Sequence, residues 1–161
     1  MKLKLIIANR IIVNDIMRLQ EADYAVIGIT NPFPDPLNYF VLSNKFKGLL
    51  KLEFEDSDPK TNHDRKMIFS EKKRESILKF TEAMIFNGVF TLIVHCDKGK
   101  HRSVAVAMKL AGIYKEKGYI VDLVNIDEVP EPNEHIMSVF EDTANPSAPA
   151  PPEGAKINSE M

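Results

Sequence analysis

The sequence lacks tryptophan, carries a single cysteine and has no long apolar run. One cysteine excludes an internal disulfide, so the sequence does not favour an exported, disulfide-stabilised protein. No segment approaches the roughly 18 consecutive apolar residues that a membrane span needs. The apolar run in "MKLKLIIANR" stops before Asn9 and is too short for the core of a signal peptide. We therefore expect a cytoplasmic protein with no membrane partner.

A strong charge of either sign is also missing. The chain has 21 Lys and Arg against 23 Asp and Glu, a formal net charge of −2. Without a global positive field, nucleic acid is not an expected partner, and any anion binding must be local. The 161 residues, 44% of them hydrophobic, suffice for one globular domain with a sizeable core.

Two hydrophobic periodicities alternate along the chain. Runs typical of strands occur at residues 3–8, 24–29, 49–54, 89–94 and 119–126. Helical patterns occur at residues 12–23, 70–87, 103–118 and 133–142. This alternation predicts an α/β fold whose mainly parallel central sheet is flanked by helices. We predict one folded domain over residues 1–141 and a disordered, Pro/Ala-rich tail over residues 142–161.

The only cysteine lies in "VHCDKGKHRS", residues 94–103, here called the cysteine loop, between a predicted strand and a predicted helix. The backbone N–H groups at a helix start, aided by the helix dipole, attract anions. Gly99 lets the loop curl, so Arg102 can return beside Cys96, grip phosphate oxygens and favour the thiolate. Ser103 can donate a hydrogen bond to that thiolate. The loop therefore predicts a nucleophilic sulfur next to a bound phosphate.

The order His-Cys, five residues, Arg, Ser resembles the signature loop of the cysteine-dependent protein tyrosine phosphatase superfamily, in its compact dual-specificity branch. The resemblance extends more weakly over residues 1–141, and it implies a metal-free and cofactor-free hydrolase that works through a phosphocysteine intermediate. It implies that Cys96 attacks phosphorus and Arg102 holds the phosphoryl oxygens. His95 would tune the thiol, and Ser103 would assist thiolate departure. The implied phosphate-binding residues are Asp97, Lys98, Gly99, Lys100, His101 and Arg102.

A phosphatase of this kind also needs a carboxylate that protonates the leaving oxygen and then activates water. The run "FEDS", directly after a predicted strand, resembles the acid loop of small bacterial members of the superfamily, which favours Asp56. Asp58, before a proline, and Asp64 are the alternatives. Asn133 is interpreted only as the start of the last helix.

The sequence is compatible with more than one class of substrate. A phosphorylated protein, on tyrosine, serine or threonine, is the first expectation, and a small phosphorylated substrate is the second. The run "GKHR" resembles the loop of plant and fungal atypical dual-specificity phosphatases, some of which act on inositol pyrophosphates. An inositol (pyro)phosphate, contacted by Lys98, Lys100 and His101, and an RNA 5′ end are therefore alternatives. So are a rhodanese-type sulfur carrier and a non-catalytic phosphate-reading module.

Overall fold

The computed structural model describes residues 1–32, 39, 44–56, 68–126 and 130–144. Its strands are β1 (Lys2–Asn9), β2 (Tyr24–Thr30), β3 (Phe46–Glu53), β4 (Thr91–Cys96) and β5 (Ile120–Asn125). Its helices are α1 (Val13–Arg18), α2 (Glu71–Phe86), α3 (Arg102–Glu116) and α4 (Glu134–Ala144).

The strands form one all-parallel sheet in the order β3-β2-β4-β1-β5. Strands β2 and β4 are buried along their whole length, as expected for apolar runs covered on both faces. The prediction of an α/β fold with a mainly parallel sheet flanked by helices is confirmed. Because the strands are parallel, their carboxyl ends meet at one edge of the sheet, where sites form in such folds.

The core has two parts, one on each face of the sheet. Alternate residues of a strand face opposite sides. Leu5 and Ile7 of β1 therefore join the larger cluster beneath α2, α3 and α4. Ile6 packs on the other face with Val13 and Met17 of α1. Within the described part of the chain, no helix is long and apolar enough to cross a membrane.

Element ends differ from the sequence patterns where pairing extends a strand. β3 begins at Phe46 rather than at residue 49, because Phe46 pairs with Tyr24 of β2. β4 continues through His95 and Cys96, which pair with the end of β1. The first helix is shorter than its predicted range of 12–23.

The last helix reaches further than predicted. α4 ends at Ala144, inside the range 142–161 that the composition assigned to a disordered tail. The predicted domain end at residue 141 therefore falls within this helix. The remaining positions of the predicted tail, 145–161, lie outside the described residues.

Candidate active site

Cys96 is the last residue of β4, at the carboxyl edge of the sheet and directly before the turn into α3. The Gly99 N–H donates to its Sγ at 3.3 Å, and the Ser103 N–H donates at 3.4 Å. The Ser103 hydroxyl lies 3.1 Å from the same sulfur. Three hydrogen-bonding groups thus surround Sγ, and each can stabilise negative charge on it.

The curl of the cysteine loop depends on Gly99. Its φ of +71° lies in the left-handed region that favours glycine. A Cβ at this position would also lie 2.9 Å from the backbone oxygen of Ala8, which cannot move without disturbing β1. The loop is therefore pressed against the end of β1, and this contact holds the Gly99 N–H toward the sulfur.

Arg102 opens α3 and is buried, and its guanidinium is fixed by neighbouring strand ends. Its Nη1 donates to Asn31 Oδ1 at 2.9 Å and to the Phe54 carbonyl at 2.7 Å. Its Nη2 lies 3.6 Å from Asp97 Oδ2, which also accepts from Asn31 Nδ2 at 3.2 Å. Because these acceptors sit on the ends of β2 and β3 and on the cysteine loop, the guanidinium plane is preset before any ligand binds.

An open cleft of about 340 Å³ lies in front of this group. Among the described residues its lining is Asn31, Glu55, Asp56, Cys96, Asp97, Lys98, His101 and Arg102. The predicted nucleophile, phosphate-binding arginine and first-choice acid thus share one cleft. Lys100, predicted as a substrate contact, does not line it and is half-buried, and its carbonyl accepts from the Glu131 N–H at 2.9 Å.

The Asp56 carboxylate also lines the cleft and is held by two side chains. One oxygen shares a short hydrogen bond with His101 Nδ1, and the other accepts from Asn133 Nδ2 at 2.5 Å. The second nitrogen of His101, Nε2, lies 3.3 Å from Glu131 Oε1. The alternative acids Asp58 and Asp64 lie outside the described residues, so only Asp56 can be placed.

His95 directly precedes Cys96 on β4 and is almost fully buried. Its Nε2 shares a hydrogen bond of 2.7 Å with the Tyr39 hydroxyl. Burial, followed by the charge of Arg10, lowers the pKa of His95 from 6.5 to about 4. Burial raises the pKa of Tyr39 to about 12. Both rings are therefore uncharged at neutral pH, so His95 offers no positive charge to the neighbouring thiol.

Gly28 on β2 makes room for this pair. A Cβ there would lie 2.1 Å from the Tyr39 hydroxyl oxygen and 2.8 Å from His95 Nε2. A glycine inside a buried strand marks a close approach of this kind. That glycine was the one sequence signal that could have indicated a ring beside His95.

Three further side chains of the site escaped the sequence patterns: Asn31, Tyr39 and Asn133. Asn31 fixes Arg102, and Tyr39 bonds His95. Asn133 does start α4, since its Oδ1 accepts from the Ile136 N–H at 2.9 Å, but it also contacts Asp56. Asn31 could have been considered because it directly follows a strand at the same sheet edge.

The arrangement can bind a tetrahedral oxyanion and attack it. The α3 N-terminus and a fixed guanidinium face the cleft, which also contains the sulfur and a carboxylate. Among residues that the structure describes, no group of three His, Cys, Asp or Glu side chains has the geometry to hold a metal ion.

Comparison of the chain with protein-family models, with curated proteins and with solved structures gives no match.

Proposed function

We propose that the protein is a cysteine-dependent phosphatase that hydrolyses phosphomonoesters through a phosphocysteine intermediate. The observation that carries the proposal is the sulfur of Cys96, which receives two backbone N–H groups and the Ser103 hydroxyl while it faces the cleft that Arg102 also lines. A structural thiol in a core needs neither a set of donors nor an adjacent buried guanidinium. A thiolate that attacks a bound phosphoryl group uses both.

In the first step, the Cys96 thiolate attacks phosphorus, and the bond between phosphorus and the ester oxygen breaks. The S–P bond forms as the leaving oxygen takes a proton from Asp56. Arg102 stabilises the charge on the phosphoryl oxygens during transfer. Its two fixed acceptors, Asn31 and the Phe54 carbonyl, keep the guanidinium from reorganising as the charge develops.

In the second step, Asp56, now ionised, takes a proton from a water molecule, which attacks the phosphocysteine. The S–P bond breaks, and inorganic phosphate and the thiolate are released. The Ser103 hydroxyl and the Gly99 N–H donate to the departing sulfur and make it a better leaving group. Asp56 is protonated again, so the cycle closes without a metal or a cofactor.

A phosphorylated protein, on tyrosine, serine or threonine, is the proposed substrate. The described lining of the cleft holds the carboxylates of Glu55, Asp56 and Asp97 against the cations of Lys98 and Arg102. Such a balance suits one phosphoryl group better than a crowded polyanion such as an inositol pyrophosphate. We also propose a cytoplasmic location, where a lone reactive thiol stays reduced.

The test is hydrolysis of p-nitrophenyl phosphate by the wild type beside Cys96→Ser. We expect turnover by the wild type, none by the variant, inhibition by vanadate and no effect of EDTA. The variant should still bind tungstate in calorimetry, because Arg102 and the loop N–H groups remain. Full activity of Cys96→Ser, or loss of wild-type activity in EDTA, contradicts the mechanism. Tungstate binding by a wild type that releases no nitrophenol would indicate a phosphate-reading module instead.

A further inference from the structure

Asn133 connects three loops at the carboxyl edge of the sheet. Its backbone N–H donates to the His101 carbonyl at 3.0 Å, which ties it to the cysteine loop. Its Oδ1 accepts from the Ile136 N–H at 2.9 Å, which caps α4. Its Nδ2 donates to Asp56 Oδ1 at 2.5 Å, which reaches the loop after β3. Only the last of these contacts requires the amide N–H group of an asparagine.

This last contact defines where the Asp56 carboxylate points. Asp56 is partly exposed, so burial alone does not fix its rotamer. His101 bonds one carboxylate oxygen and Asn133 the other, and both partners sit on the loops that flank the cleft. With both oxygens held, the carboxylate keeps one orientation toward the cleft that contains the Cys96 sulfur.

We propose that Asn133 is a positioning residue that holds Asp56 in register with the cysteine loop for proton transfer to the leaving group. This inference rests on the proposed phosphatase function. Proton transfer demands a close and directed approach of donor and acceptor, and a shift of about 1 Å can cost up to 10²-fold in rate. The hydrogen bond from the Asn133 amide, at the start of α4, orients the Asp56 carboxylate.

The competing explanation is that Asn133 only caps α4. Asn133→Ser separates the two roles, because serine also caps a helix well but cannot reach Asp56 with a donor. The backbone N–H to His101 is unchanged in this variant. Asn133→Asp is the second variant: it keeps the size and the cap but replaces the donor with a second carboxylate beside Asp56. Asn87→Ser is the matched control, at the exposed end of α2.

The experiment compares kcat/KM for phenyl phosphate and for p-nitrophenyl phosphate, which have the same shape but a poor and a good leaving group. For Asn133→Ser we expect a loss of about tenfold on phenyl phosphate and less than about twofold on p-nitrophenyl phosphate. The alkaline limb of the phenyl phosphate profile should move to higher pH, because a donor to the ionised carboxylate is lost. In Asn133→Asp the alkaline limb should move further to higher pH than in Asn133→Ser, because the added carboxylate also raises the pKa of Asp56. Asn87→Ser should match the wild type.

The background variant Asp56→Asn completes the test. If Asn133 acts through Asp56, adding Asn133→Ser to Asp56→Asn should cause no further loss on phenyl phosphate. Equal losses of kcat/KM on both substrates would overturn the inference, and so would a full additional loss in the Asp56→Asn background. Asn133 would then serve only to cap α4. A wild type that hydrolyses neither ester would overturn the proposed phosphatase function itself, and the role of Asn133 with it.

Discussion

The two sides of the cleft are built differently. On the side of the proposed nucleophile, Cys96 and Arg102 are 2% and 5% exposed, and their partners include a backbone N–H of the cysteine loop and the carbonyl that follows β3. On the acid side, the Asp56 and His101 side chains are each 31% exposed, and they contact other side chains. The nucleophile side is therefore preorganised by the fold itself. The acid side is adjustable, and substitutions there should change rates more than stability.

The largest expected effect is that of Arg102→Lys, on the nucleophile side. Lysine keeps the charge but cannot donate to both fixed acceptors while it grips a phosphoryl group. We expect kcat for p-nitrophenyl phosphate to fall at least about 10²-fold, as for removal of a preorganised donor to transition-state charge. Arg18→Lys, at an exposed ion pair on α1, is the control and should be neutral. A loss under about threefold at Arg102 would mean that the guanidinium does not contact the substrate.

The second prediction concerns the stability of the protein at low pH, which depends on the buried His95. Its pKa is about 4 in the fold and 6.5 in the unfolded chain, so between these values the unfolded chain binds more protons. The free energy of unfolding should therefore fall as the pH drops from 6.5 to about 4, by about 3 kcal/mol from this residue.

The measurement is urea unfolding across that pH range for the wild type and His95→Gln. The variant should lose this part of the pH dependence, so the difference in unfolding free energy between the two proteins should change by about 3 kcal/mol between pH 6.5 and about 4. Tyr39, which bonds the imidazole, and Arg10 and Arg102, whose charges act on it, are present in both proteins, so the pH difference between the two reports on His95. Parallel curves would show that His95 protonates freely in the fold.

Much of this site was predictable from the sequence because its central residues are contiguous. Cys96, Arg102 and Ser103 lie on one loop, and local geometry decides how they meet. Asn31 and Asn133 reach their partners across 71 and 77 residues, respectively. Their contacts depend on the strand order, which sets which loops become neighbours, and a single sequence does not state that order.

The strands show the same division between local and distant determinants. The apolar runs of β2 and β4 predicted strands buried on both faces, since periodicity is a local property. The extension of β4 through Cys96 was not predicted, because it depends on pairing with the distant end of β1. The continuation of α4 to Ala144 was missed because the composition of the segment that follows suggested an earlier helix end.

The third prediction addresses the acid side. Asp56→Asn should slow phenyl phosphate about 10²-fold more than p-nitrophenyl phosphate, because only the poor leaving group needs the proton. The free energy of unfolding should change little, since the carboxylate is partly exposed. If the leaving-group dependence appears in Asp58→Asn and not in Asp56→Asn, then Asp58 is the general acid. If neither variant shows it, Asp64 is the next candidate.

The smallest expected effects are those of two glycine substitutions, which separate the cost of backbone strain from the cost of a steric clash. Gly99 and Gly118 both have positive φ, but a Cβ would meet Ala8 only at Gly99, with nothing within 4 Å at Gly118. Gly118→Ala should cost about 1 kcal/mol in unfolding free energy and leave the activity unchanged. Gly99→Ala should cost about 2 kcal/mol and also lower kcat, because the loop N–H leaves the sulfur. Equal costs and equal activities would show that the loop has room to relax.

The position of β4 in the middle of the sheet determines which parts of the molecule can unfold locally. β4 is hydrogen-bonded to β1 on one side and β2 on the other. In hydrogen-exchange terms, amides of such a strand open only when the whole domain unfolds, whereas loops held by side chains open on their own at lower cost. Cys96 should therefore keep its position during partial opening, whereas the contacts of the Asp56 side chain with His101 and Asn133 should open at lower cost.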